Sequence, residues 1–250
     1  GESCDLNFKF SGTAPINGTG TWSIVSGPGS ASYSNAADPA TIVSVTAPGT
    51  YRFAWTVDSG TCSDADLIDV IFSQPVFSAP EDDKDLCNTL SSTLTVLSAS
   101  VGNPEWKQTS GPGIADIVTP NSFSSNVNVS EYGVYVFTLT VTNGTCSASD
   151  DLTIGFYEEP TKAGIVGDIS NCGTLTSDPL GGNTPTVGTG VWSKISGLGT
   201  VVFSDINSGN STATVNAYGT YEYQWKISNG PCTASAAALT VTYFDPPIAD

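Results

Sequence analysis

The sequence predicts an all-β protein built as three tandem two-layered β-sandwich units. Three observations lead there. Six cysteines fall into three pairs of nearly equal spacing: Cys4 and Cys62 stand 58 residues apart, Cys87 and Cys146 stand 59 apart, and Cys172 and Cys232 stand 60 apart. A tryptophan follows the first cysteine of each pair at offsets of 18, 19 and 20 residues (Trp22, Trp106, Trp192). A tyrosine precedes the second cysteine by 11 residues every time (Tyr51, Tyr135, Tyr221). Self-similarity at a period of about 85 residues marks a repeat array and overrides a single-domain reading of the length.

The elements follow in order. Twelve residues separate Pro75 from Cys87 and Pro160 from Cys172, and these should hold each unit's first strand. Only three residues precede Cys4, so unit 1 is expected to lack that strand and to pack least well at its N-terminal end. Next come GTWSIVSGPG, PEWKQTSGPG and GVWSKISGLG, each a short strand running into a Gly-rich turn, with Ser26, Ser110 and Ser196 four residues after the tryptophan. A tryptophan in such a strand belongs in the core. The tyrosine segments alternate with period two. Tyr51, Phe53, Trp55 and Val57 share one face, as do Tyr135, Phe137, Leu139 and Val141, and Tyr221, Tyr223, Trp225 and Ile227. That is a strand buried on one side. Ser59-Gly60, Asn143-Gly144 and Asn229-Gly230 supply hairpin turns, since glycine and asparagine tolerate positive φ. Final strands are expected over Leu67–Phe72, Leu152–Tyr157 and Leu239–Phe244, each followed by a junction proline, Pro75, Pro160 or Pro246.

The expected boundaries are residues 1–74 for unit 1 (first strand missing), 75–159 for unit 2, and 160–250 for unit 3 plus the start of a further repeat. The offset between units and chain ends predicts a stretch of a longer array. Linkers with proline and no flexible Gly/Ser run predict semi-rigid junctions.

Small β units bury limited cores and often carry a covalent staple. One cysteine pair per repeat predicts bonds within units, Cys4–Cys62, Cys87–Cys146 and Cys172–Cys232, and an exported protein. Closing a loop of that length stabilises by roughly 4 kcal/mol in the chain-entropy description. With 24 acidic residues against 7 basic and a net charge of −17, nucleic acid and anionic membranes are excluded as partners. No apolar run reaches the ~18 residues of a membrane span. The chain contains no histidine, which removes a Ser-His-Asp triad, a Cys-His pair and histidine metal sites together. No acidic pair recurs in all three units, so a glycosidase-type carboxylate pair has no support, and the chain reads as non-enzymatic.

The segments PGTYRFAWTV, YGVYVFTLTV and YGTYEYQWKI resemble the penultimate strand of PKD-like and immunoglobulin-like sandwich modules. With GTWSIVSGPG upstream and NGTCSASDDLTI downstream, the pattern is similar to tandem repeats of giant Bacteroidetes surface adhesins, the gliding-motility adhesins exported by the type 9 secretion system. The WDFGDG-like motif of many PKD domains is replaced here by EWKQTSGPG. The resemblance implies extracellular, cell-surface stalk repeats that support adhesion and gliding, with neighbouring repeats of the same chain as partners and the fragment itself monomeric. The alternatives are a module that binds carbohydrate or another surface, surface polysaccharide being the candidate ligand, and an accessory region of a secreted polysaccharide-degrading enzyme. The resemblance also makes calcium the candidate cofactor, at oxygen ligands near the junctions. Asp83 and Asp168 are equivalent, four residues before their cysteines; Asp66 and Asp151 are equivalent, nine before the junction proline; Glu158, Glu159 and Asp245 crowd the junctions.

Overall fold

The computed structural model describes residues 1–75, 79–97 and 102–248; residues 76–78 of one linker and 249–250 of the expected further repeat lie outside them. The chain forms three tandem β-sandwich units with no helix among the described residues. The main sheet of every unit has four strands in one order. At its edge lies a lead strand (Glu2–Ser3, Lys84–Cys87, Ile169–Cys172). It pairs in parallel with an exit strand (Ser63–Phe72, Cys146–Tyr157, Ser235–Phe244). Antiparallel to that runs the tyrosine strand (Gly49–Asp58, Gly133–Asn143, Gly219–Ser228), then the tryptophan strand (Thr19–Ser26, Asn103–Ser110, Thr189–Ser196).

A smaller sheet covers the inner face. In unit 1 it comprises Asn7–Lys9, Ile42–Val45 and Ala31–Tyr33, in unit 2 Ser91–Leu94, Ser125–Val129 and Ala115–Ile117, and in unit 3 Val201–Phe203 with Ala213–Val215. Each unit has its own core cluster drawn from both sheets.

Unit 1 differs from expectation. Its lead strand is present, shortened to two residues, with Glu2 opposite Ile71 and Ser3 opposite Phe72. The exit strands are also longer than their apolar runs. They start at Ser63, Cys146 and Ser235 because the hairpin ladder continues to the turn through residues whose polar side chains face solvent.

Alternation on the tyrosine strand decides the core. Tyr135, Phe137, Leu139 and Val141 are fully buried, and so are Tyr221, Tyr223, Trp225 and Ile227. Each leading tyrosine closes a corner: its hydroxyl donates four residues back, Tyr51 to Ala47 O (3.0 Å), Tyr135 to Glu131 O (2.9 Å) and Tyr221 to Ala217 O (2.8 Å). That corner is a feature of immunoglobulin-like sandwiches. Trp22, Trp106 and Trp192 are buried opposite Trp55, Leu139 and Trp225. The register of the tryptophan strand slips at the same place in all three, beside Ser26, Ser110 and Ser196, a bulge that turns the strand into its Gly-rich loop.

One pair of positions varies together. Where the tyrosine strand carries Trp55 or Trp225, the tryptophan strand has Gly20 or Gly190, and a Cβ there would stand 2.0 or 2.1 Å from the indole. In unit 2 the partner is Leu139 and the position holds Pro104. Gly190→Ala is therefore expected to destabilise unit 3 by about 1–3 kcal/mol through overpacking, read from denaturant unfolding.

Unit 3 also buries two neighbouring phenols. Tyr223 and Tyr243 hydroxyls lie 3.4 Å apart, and Tyr243 donates to Ala213 O at 3.0 Å. Burial raises both pKa values above the ordinary 10.0. The unfolded chain then releases protons that the folded chain holds, so stability is complete below about pH 10 and falls as pH rises further. In an alkaline titration, phenolate absorbance from these two should appear together with loss of the near-ultraviolet circular dichroism of the fold. Complete ionisation of all nine tyrosines with that signal intact would contradict it.

Candidate functional site: the joint between units

The residues that recur most regularly meet between units. Cys4 is bonded to Cys146, with Cα atoms 5.3 Å apart, and Cys87 to Cys232, with Cα atoms 5.2 Å apart. Cys62 and Cys172 are free and exposed. The expected pairings Cys4–Cys62, Cys87–Cys146 and Cys172–Cys232 are thus replaced by bonds from the first cysteine of one unit to the second cysteine of the next.

The sheet explains why. The lead strand runs parallel to the exit strand, and Cys87 sits opposite Tyr157, the last residue of Cys146–Tyr157. Cys146 is the first residue of that same 12-residue strand. Eleven steps of about 3.3 Å put the two cysteines of a unit on the order of 35 Å apart, at opposite poles of the sandwich. A disulfide requires Cα atoms within about 7 Å. A translation by one unit brings the far-pole cysteine of one sandwich onto the near-pole cysteine of its neighbour.

Around each bond the two joints share a pattern. The hairpin turn of the following unit sits on the end of the preceding exit strand. Asn143 Nδ2 donates to Gln74 O (3.4 Å), and Asn229 Nδ2 donates to Glu158 O (2.8 Å). The glycines next to them, at φ +62° and +51°, come close to the exit-strand residue opposite the bonded cysteine: a Cβ on Gly144 would stand 2.8 Å from Ser73 Oγ, and one on Gly230 would stand 2.4 Å from the Tyr157 ring. A side chain there would both strain the turn and block the seat. At the first joint Glu2 Oε1 accepts from Ser73 Oγ (2.9 Å) and from Thr145 N (3.5 Å), and these bonds hold its carboxyl below the usual range.

The acidic residues singled out from the sequence do not converge. Asp83 Oδ1 accepts from Thr153 N at 2.7 Å, and its equivalent Asp168 Oδ1 accepts from Thr240 N at 3.0 Å. Both extend the parallel pairing one residue beyond the lead strand, which accounts for their recurrence. Asp151 accepts from Thr138 Oγ1 (2.6 Å), and Asp66 from Leu67 N (2.9 Å). Glu158, Glu159 and Asp245 are exposed at the junctions. Among the described residues no group of three or more His, Cys, Asp or Glu side chains is placed to hold a metal ion, so these seven do not fit the oxygen cage that calcium requires. Two disulfides in 250 residues point to folding in an oxidising compartment. No helix is long and apolar enough to cross a membrane.

No family model and no curated protein sequence matches the chain. Among solved structures it is similar to extracellular domains 3–5 of Drosophila OTK (TM-score 0.46, 13% identity, covering 97% of this chain and 94% of that one). It is also similar to an I-band fragment of titin (TM-score 0.38, 15% identity, 97% and 94%). Over 34% of its length it is similar to the PKD domain of the KIAA 1837 protein (TM-score 0.30, 26% identity, 90% of that chain).

Mass spectrometry of an unreduced digest checks the joints. Peptides linked through Cys4–Cys146 and Cys87–Cys232 are expected, with Cys62 and Cys172 alkylated; links within units would refute the arrangement.

Proposed function

We propose that the chain is a stretch of non-enzymatic stalk repeats in a long, secreted cell-surface adhesin of the gliding-motility type, exported by the type 9 route. The observation that carries this reading is the inter-unit disulfide. Each bond fixes one sandwich against the next, which is of use to a protein that must hold separated points at a set distance. A catalytic or ligand-binding module gains nothing from it. Strands of eight or so residues make a unit about 30–40 Å long, so three in line reach about 100–120 Å. The acidic surface keeps such arrays soluble and mutually repelling.

The similarity of the tyrosine and tryptophan segments to Bacteroidetes adhesin repeats supports the finer assignment. Carbohydrate recognition by the units themselves has less support, because all five tryptophans (Trp22, Trp55, Trp106, Trp192, Trp225) are buried and none offers an indole face to a sugar.

An antibody against this chain, applied to intact cells of its source, is expected to label surface filaments that travel along a gliding cell. A soluble antigen shed into the medium would overturn the reading.

A further inference from the structure

Cys62 and Cys172 have counterparts everywhere else in the molecule. Cys172 occupies the position of Cys4 and Cys87, at the end of a lead strand opposite the last exit-strand residue. Cys62 occupies the position of Cys146 and Cys232, directly after a hairpin turn. Both thiols are exposed, one at each pole of the array.

The surroundings repeat as well, with their covers removed. Phe244 stands opposite Cys172 as Tyr157 stands opposite Cys87. The Tyr157 ring lies under Gly230 of the next unit, whereas Phe244 is 52% exposed. At the other pole Gly60 has a positive φ of +91° like Gly144 and Gly230, yet nothing lies within 4 Å of where its Cβ would be. Beside it an open groove is lined by Asn17, Val57, Ser59, Cys62, Ser63 and Asp64. In unit 3 the place equivalent to Asp64 is taken by Ser235, whose Oγ accepts from the N–H of Ala163, a residue of the preceding junction that packs into the core cluster. The one departure is Ser59, which replaces Asn143 and Asn229 and donates instead to Cys62 O within its own turn (3.1 Å).

We infer that these two end faces are the halves of one joint, and that a second copy of this chain docks on them head to tail. The Gly60 turn of one copy seats on Phe244 of the other, and a Cys172–Cys62 disulfide closes the contact. The face is continuous with an interface the molecule already forms twice, and the two halves differ, so the contact is heterologous and propagates rather than closing as a two-fold dimer. Closure is a two-electron oxidation. One thiolate attacks a low-molecular-weight disulfide such as oxidised glutathione, releasing one thiol; the second thiolate displaces the other, so that one S–S bond forms, one breaks and two free thiols leave. The inference stands on the geometry of the joint and is independent of the adhesin assignment.

The test incubates the purified chain with oxidised glutathione and resolves it without reductant. A ladder of multiples is expected, whose digest yields Cys62–Cys172 peptides in about tenfold excess over Cys62–Cys62 and Cys172–Cys172, the bias that a docking preference of 1.4 kcal/mol gives. Cys62→Ser mixed with Cys172→Ser should stop at dimers, and each alone should stay monomeric. Phe244→Lys removes the seat without touching either thiol and should abolish the bias. Heterotypic and homotypic links in the proportions of random encounter, glutathionylated monomers alone, or an unchanged bias in Phe244→Lys would each overturn the inference.

Discussion

The parallel pairing of lead strand with exit strand is the constraint on which the array depends. It fixes where each cysteine can go. An antiparallel lead strand would run back toward the start of the exit strand and bring the two cysteines of a unit near one pole. Parallel pairing sends the first cysteine to the far pole, where only a neighbour can reach it. The same pairing ends the exit strand beside that cysteine, so the surface offered to the next sandwich carries a thiol, a backbone carbonyl and one side chain in fixed relation. Asp83 and Asp168 reinforce the arrangement by capping exit-strand N–H groups just upstream. In unit 1 the N-terminal amine lies at the same level and donates to Asp69 O (2.7 Å).

Within a unit, stability and shape are set by a different device. The tyrosine strand supplies the large apolar side chains, and the tryptophan strand is tailored to receive them. The exchange of Gly20 and Gly190 for Pro104 where Trp55 and Trp225 give way to Leu139 shows the space being conserved while its occupants change. Close packing tolerates such exchanges when the total volume is kept. The poles can therefore stay constant while the cores drift.

Much of this was legible in the sequence. Period-two alternation located the tyrosine strands, and the spacing of Trp22, Trp106 and Trp192 located their partners. Both signals are local, set within one strand by the need to bury one face. The joint was less legible. A repeat fixes the interval between cysteines but is equally consistent with bonding inside a unit or one unit along, because both choices preserve the period. What separates them is the direction of the lead strand, and four residues such as Lys84–Cys87 carry no pattern that declares it. The equivalence of Asp83 and Asp168 was visible, and it marked a backbone cap where the acidity had suggested a cation.

The two bonds interleave. Cys4 reaches past Cys87 to Cys146, and Cys87 reaches past Cys146 to Cys232. Every peptide bond between Cys4 and Cys232 is consequently spanned by at least one of them. A protease that nicks any single loop in that stretch leaves the two pieces covalently attached, as a braided cord survives the loss of one thread. Staples confined to each unit would have left every linker as a point of severance.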